Sequence, residues 1–280
     1  TYSLAYTFST PVLFYNADLF RKAGLNPDQP PQTWAEVKEA SLAIRKAAEV
    51  DGFAMGVFGP TAGDWLYQGV IRSNNGEVIS RDRKSVKFAE PEAVEAVEMM
   101  RDLAQSGALM NTDITGAMEA MAGGTLGMYL QTSAIQGFLV KGAKDKFDLR
   151  ATTMPKFGDK PVRPNNSGSG LTILTGDPLK QRAAWELMKH LTSEYGYTII
   201  TSEIGYLPLR PAIVNDPKYL KDWVAKNPLV APNLKQLEVL EPWDSFPGPN
   251  YKQISKTMMD AAEMSVFGDV DPATTLRAAQ

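Results

Sequence analysis

The 280-residue chain contains no cysteine and a single histidine. Without cysteine there is no thiol nucleophile, no disulfide, no iron–sulfur cluster and no cysteine zinc site. The absence leaves the compartment open, since periplasmic and cytosolic chains alike do without cysteine. His190 falls late in an amphipathic pattern and reads as a structural residue. With no second imidazole, a His-based metal site has no ligand set. A Ser-His-Asp hydrolase would have to use this one imidazole, and no G-x-S-x-G elbow accompanies it. Gly168-Ser169-Gly170 lacks the G-x-x-x-x-G-K-[ST] arrangement, because the next lysine is Lys180. No cofactor is therefore expected. Lys and Arg number 29 against 32 Asp and Glu, a balance with no basic excess for nucleic acid. No apolar run approaches the roughly 18 residues that suggest a membrane span. The sequence opens on Thr1 in mid-pattern, with Tyr2-Ser3-Leu4-Ala5-Tyr6, as a piece of something longer would.

What is present is an α/β pattern. A strand-like opening, a polar break at Thr7–Pro11 and an apolar strand Val12–Tyr15 lead to a short helix from Ala17. Thr33 and Glu36 form a capping box for a helix that Gly52 should close. A buried strand at 53–58 precedes the loop Gly59–Trp65 and a helix over 64–73. A strand at 86–88, helices from Pro91 and over 113–121, and strands 126–130 and 149–153 follow. The stretch Pro164-Asn165-Asn166-Ser167-Gly168-Ser169-Gly170 combines turn-prone residues with two glycines, which allow close backbone approach. It can present N–H groups and small hydroxyls to a polar ligand, or be an ordinary turn before a strand at 171–175. Asp177-Pro178 then caps a helix that should bury Ala184, Leu187, Met188 and Leu191. The remainder reads as mostly helical, over 216–224, 232–238, 250–265 and from Pro272.

Carboxylates are the remaining enzymatic route. Asp64 and Asp244 each adjoin a tryptophan in a Gly- or Pro-containing loop, and across one cleft they could act as a glycosidase pair. They can equally be a hydroxyl acceptor and a loop charge. Trp65, Tyr129, Tyr206, Trp243, Phe246 and Tyr251 fall in loops and near strand ends. An aromatic face there can cover the C–H patch of a sugar ring, or simply fill the core. Asn165-Asn166-Ser167 matches a glycosylation acceptor, and a polar turn explains it equally well.

Four segments stand in a telling order: Ser9-Thr10-Pro11-Val12-Leu13-Phe14-Tyr15-Asn16, Asp18-Leu19-Phe20-Arg21-Lys22-Ala23-Gly24-Leu25, Pro30-Pro31-Gln32-Thr33-Trp34-Ala35-Glu36-Val37 and Gly205-Tyr206-Leu207-Pro208. In them the chain resembles the extracellular solute-binding proteins of bacterial ABC importers, the family of maltose-binding and glycerol-3-phosphate-binding proteins. The resemblance implies a periplasmic-binding-protein-like (type II) fold of two α/β lobes closing on ligand. Residues 1–8 would end the first lobe and cross, 9–168 and 213–280 would form the second lobe, and 172–208 a remnant of the first. The expected ligand contacts are Ser9, Trp65, Gln131, Thr132, Ser133, Gly168, Ser169, Tyr206 and Tyr251. Asp64 and Trp243 join them from the loop reading rather than from the family.

One departure bears on the ligand. Glycerol-3-phosphate binders carry arginine where this chain reads Ser245-Phe246-Pro247-Gly248-Pro249-Asn250, and no Lys or Arg lies between Glu238 and Tyr251. A neutral sugar, oligosaccharide or polyol is therefore expected, with sn-glycerol 3-phosphate or another organic phosphate as the alternative. The expected partners are that small molecule and a permease in the cytoplasmic membrane. The expected setting is the periplasm or the outer face of that membrane, and the full-length protein should be monomeric. A glycoside-active enzyme and an isolated interaction module remain the rival classes.

Overall fold

The computed structural model describes residues 3–59 and 63–280. Tyr2 of the expected opening strand, and Pro60, Thr61 and Ala62 of the expected loop, lie outside the described residues.

Strand β1 (Leu4–Ser9) is followed after one residue by β2 (Pro11–Asn16). The Asn16 side chain then caps helix α1 (Ala17–Lys22), accepting from Asp18 N at 3.0 Å and Leu19 N at 3.2 Å. The capping box at Thr33 and Glu36 starts α2 (Trp34–Ala48) as its spacing predicts. Next come β3 (Asp51–Met55), α3 (Asp64–Ser73), α4 (Pro91–Gln105), α5 (Ile114–Gly123) and β4 (Leu126–Thr132). A single 3-10 turn separates β4 from α6 (Gln136–Ala143), and β5 (Leu149–Thr152) and β6 (Ser167–Leu171) follow. The last third holds α7 (Pro178–Leu191), α8 (Glu194–Glu203), α9 (Lys221–Lys226), α10 (Ala231–Gln236), α11 (Tyr251–Phe267) and α12 (Pro272–Ala279).

The main sheet has the order β3-β4-β2-β5, with β2 antiparallel to β4 and β5, and β3 parallel to β4. Strand β2 is buried along its whole length, as a central strand covered on both faces must be. Its side chains divide with period two. Leu13 and Tyr15 enter a large core with Phe53, Met55, Met128 and Leu130, closed by α2, α3, α4, α11 and α12. Val12 and Phe14 enter a smaller core with Ala54 and Tyr129, closed by α5 and α6.

Several elements depart from the sequence pattern. Strand β1 runs through the expected break at Thr7–Ser9, because it pairs antiparallel with β6 in a separate two-stranded ribbon. The glycine-rich stretch is that partner strand, and no strand continues over 172–175. Gly168 has φ +154°, and a Cβ there would stand 2.1 Å from the Thr7 carbonyl oxygen, so only glycine fits. Helix α2 ends on left-handed Glu49, while Gly52 sits inside β3. Residues 86–88 make only an isolated bridge, Ile79 to Val86. The helix expected over 216–224 is a 3-10 turn at Pro211–Val214 and then α9.

Residues 172–208 share no sheet with β3. Their ties to the rest include Tyr197 OH donating to Ala5 O, Leu207 N to Phe8 O and Gly137 N to Ile204 O. Helix α7 buries only Met188 of the four side chains expected. Leu187 is 58% exposed, as are Leu174 at 91% and Leu179 at 78%.

Candidate functional site

Residues 57–59 after β3, Gly63 and Asp64 at the start of α3, Trp243, Ser245 and Phe246, and one face of α11 line a pocket of about 860 Å³. Asp64 opens α3 and is nearly buried at the pocket wall. Its Oδ2 accepts from Trp243 Nε1 and from Ser255 Oγ, each at 3.1 Å. Trp243 and Tyr251 are each 40% exposed and contribute aromatic surface, backed by the buried Phe246.

Helix α11 supplies the polar side. Lys252, Ser255, Lys256, Asp260 and Glu263 recur at helical spacing toward the pocket, while Met258, Ala261 and Ala262 are buried. Lys256 is ion-paired with Asp260, and the Lys252 ammonium lies 5.9 Å from the Tyr251 ring centre. Three carboxylates and two ammonium groups thus line the pocket. Such a wall can hydrogen-bond hydroxyls and offers two cations to an anionic group.

Of the expected contacts, Asp64, Trp243 and Tyr251 meet in this pocket. Trp65 does not. It is one residue further along α3, and its indole packs in the main core at 7% exposure. A second group gathers at the adjoining ends of β2 and β4. Ser9 is buried opposite Ser167, and Ser133 N donates to Thr10 O at 2.9 Å. Thr132 Oγ1 caps the following turn by accepting from Ala134 N. The buried Gln131 donates to Tyr129 OH at 3.2 Å and accepts from Thr132 N at 2.8 Å. Burial pushes the Tyr129 phenol up to about 12. Gly168 and Ser169 lie exposed on β6, where Ser169 Oγ meets Thr7 Oγ1 at 2.7 Å. Tyr206 is half-buried just before Leu207, which bonds β1. None of these seven lines the pocket, although Gln131 underlies Gly56, the residue before the pocket-lining Val57.

Asp64 and Asp244 do not face one another across a pocket. Asp244 lines a separate cavity of about 480 Å³, and its carboxylate is held by Arg72 and, at 3.5 Å, by Arg83. The pairing needed for glycoside hydrolysis is therefore not built. Asn165 is fully buried, with its Nδ2 donating to Pro242 O at 2.7 Å, which leaves the acceptor motif unavailable for a glycan.

The lysines of α11 follow residues 239–250, whose lack of Lys and Arg favours a neutral ligand. Their signal was present in the 252, 256, 260, 263 spacing of polar residues opposite an apolar face. The contacts of Gln68, Arg72 and Arg83 to residues 244–245 span more than 160 positions, and no local pattern announces them.

A family model described as bacterial extracellular solute-binding protein matches residues 1–232. The chain is 31% identical over 219 residues to the sn-glycerol-3-phosphate-binding periplasmic protein UgpB of Yersinia enterocolitica, a match covering 75% of this chain and 49% of that protein. It is 26% identical to UgpB of Brucella melitensis, covering 98% of this chain and 64% of that one. The chain spans about half the length of the first curated relatives it matches. Among solved structures, UgpB from Mycobacterium tuberculosis in complex with glycerophosphocholine aligns with TM-score 0.85 at 22% identity, over 100% of this chain and 69% of that one. Maltose-bound MalE3 of T. maritima aligns with TM-score 0.84 at 20% identity, over 99% and 71%. These likenesses establish an α/β periplasmic-binding-protein-like fold. The chain belongs to the bacterial extracellular solute-binding protein family.

Proposed function

We propose that this chain is the ligand-capturing part of an ABC importer, taking a sugar, oligosaccharide or polyol outside the cytoplasmic membrane and presenting it to a permease. No chemical step is involved. The observation that carries this reading is the pocket in which Trp243 and Tyr251 stand beside Asp64. A flat apolar wall next to a fixed carboxylate suits a sugar ring and its hydroxyls. The volume of about 860 Å³ lies within the range of small-molecule sites. In the two-lobe, type II arrangement, residues 172–208 belong to a first lobe and the rest chiefly to a second. The exposed apolar side chains of α7 support that division. Ligand would bind more tightly to the closed arrangement and shift the population toward it. Ser9, Gln131, Thr132, Ser133, Gly168, Ser169 and Tyr206 would then border the crossing between lobes.

A second reading rests on Lys252 and Lys256. They give the pocket the cations that residues 239–250 lack, and so favour sn-glycerol 3-phosphate or a glycerophosphodiester such as glycerophosphocholine. Isothermal titration with maltose, glycerol, sn-glycerol 3-phosphate and glycerophosphocholine separates the two. Under the sugar reading, Trp243→Ala weakens maltose binding while the Lys252→Gln, Lys256→Gln pair leaves it intact. Under the phosphate reading, the double variant abolishes binding of the phosphate compounds. Tight binding that survives Trp243→Ala and the double lysine variant alike would place the site elsewhere.

A further inference from the structure

Asp64, Gln68 and Arg72 stand four residues apart on α3, so they share one stripe of the helix. That stripe meets an irregular strip, residues 241–245, one turn at a time. Asp64 accepts the Trp243 indole N–H at 3.1 Å. The fully buried Gln68 accepts Asp244 N–H at 3.1 Å and donates to the Asp244 carbonyl at 3.0 Å, as a neighbouring strand would. Arg72 holds the Asp244 carboxylate and reaches Glu241 at 3.6 Å. Arg83 adds a hydrogen bond to the Ser245 carbonyl.

The side chains of this irregular strip divide between two sides, with Glu241 and Pro242 on the rear cavity. Trp243 and Ser245 line the ligand pocket, while Asp244 lines the cavity behind. Gln68, Arg72 and Arg83 hold the strip without lining the ligand pocket. We infer that these three are positioning residues, which fix the plane of the Trp243 indole before ligand arrives and thereby set which ligands the pocket prefers. The residues that follow, Phe246-Pro247-Gly248-Pro249, offer no regular backbone pairing. Without the Gln68 amide, the Asp244 backbone groups would have to find other partners. A wall ordered in advance spares the ligand that ordering and strengthens binding. The selectivity part of this inference rests on the proposed ligand pocket; the ordering of the indole does not.

The test therefore begins without ligand. The Trp243 indole N–H is assigned in a ¹H–¹⁵N spectrum of the 280-residue chain by its loss in Trp243→Phe. Arg83→Gln and Gln68→Glu should raise its exchange rate about tenfold or more, the factor that each 1.4 kcal/mol represents, while the other four indoles and the far-UV circular dichroism stay unchanged. Arg83→Lys should restore part of the protection. With maltose and sn-glycerol 3-phosphate as probes, the ratio of their dissociation constants should shift by a comparable factor in both variants. A purely structural role would lower the melting temperature and leave that ratio alone. Unchanged exchange of the Trp243 indole in Arg83→Gln overturns the inference, and this half-exposed position decides the matter even if Gln68→Glu fails to fold. If the parent binds neither probe, maltose and sn-glycerol 3-phosphate are both excluded as ligands of this chain, while the exchange result still decides the positioning role.

Discussion

Trp65 and Trp243 are both tryptophans beside an aspartate, yet their substitutions should read out on different instruments. Trp65 is buried in the main core, so Trp65→Ala should cost about 3–5 kcal/mol, the range for removing a large core aromatic. Chemical denaturation should show the loss directly, and any loss of binding should follow from it. Trp243 is 40% exposed, so Trp243→Ala should leave the midpoint near the parent and weaken ligand binding. Trp34 belongs with Trp65. It meets Phe53 and Phe157 with ring centres 6.3 and 6.1 Å apart, as its place beside the capping threonine implies. The sequence could place Trp34, because the capping box fixes the helix register and hence the buried stripe. It could not place Trp65, because α3 is buried on nearly every side and even its polar stripe of Asp64, Gln68 and Arg72 packs against protein rather than facing water.

At the scale of elements, the same distinction explains what was legible. Thr33 and Asp177 cap helices where their side-chain chemistry requires, since each bond spans only two or three residues. Thr33→Ala should accordingly cost about 0.5–2 kcal/mol, measured by urea denaturation. The ribbon of β1 and β6 was invisible because its register joins residues 4–9 to 167–171, with polar residues on both strands. Gly168→Ala tests it: the new methyl would collide with the Thr7 carbonyl, so the ribbon should open and the β6 amides should lose exchange protection. Helix α7 lies at the other extreme. Almost wholly exposed and only 14 residues long, it stands near the length at which isolated helices are marginal. Its amides should exchange far faster than those of β2 and β4, which are buried and paired on both sides.

The whole molecule should be most stable in the middle of the pH scale, for reasons with opposite signs at the two ends. Backbone N–H bonds from Gln32 and Thr33 hold the Glu36 carboxyl below its ordinary 4.5, and the Asn74 amide and Lys160 do the same for Glu95. Stabilisation from depressed carboxylates is present above the ordinary value and is lost as pH falls through the folded one. Burial raises the Tyr67 and Tyr129 phenols above their ordinary 10.0, Tyr129 to about 12. Their contribution is complete below 10.0 and is lost as pH rises through the folded values. Denaturation midpoints measured across the range should fall on both flanks, and Tyr129→Phe should flatten the alkaline one.

The apolar side chains that α7 and its approach expose have a consequence outside the fold altogether. Leu174, Leu179, Trp185 and Leu187 leave four large apolar side chains in water on one segment of a chain of net charge -3, so the isolated molecule should behave as a weak surfactant. It should collect at air–water and plastic surfaces, lower the surface tension of its own dilute solutions and brighten an apolar dye without unfolding. Replacing Leu174 and Leu179 with serine should remove much of that surface activity while leaving the sheet and the pocket as they are.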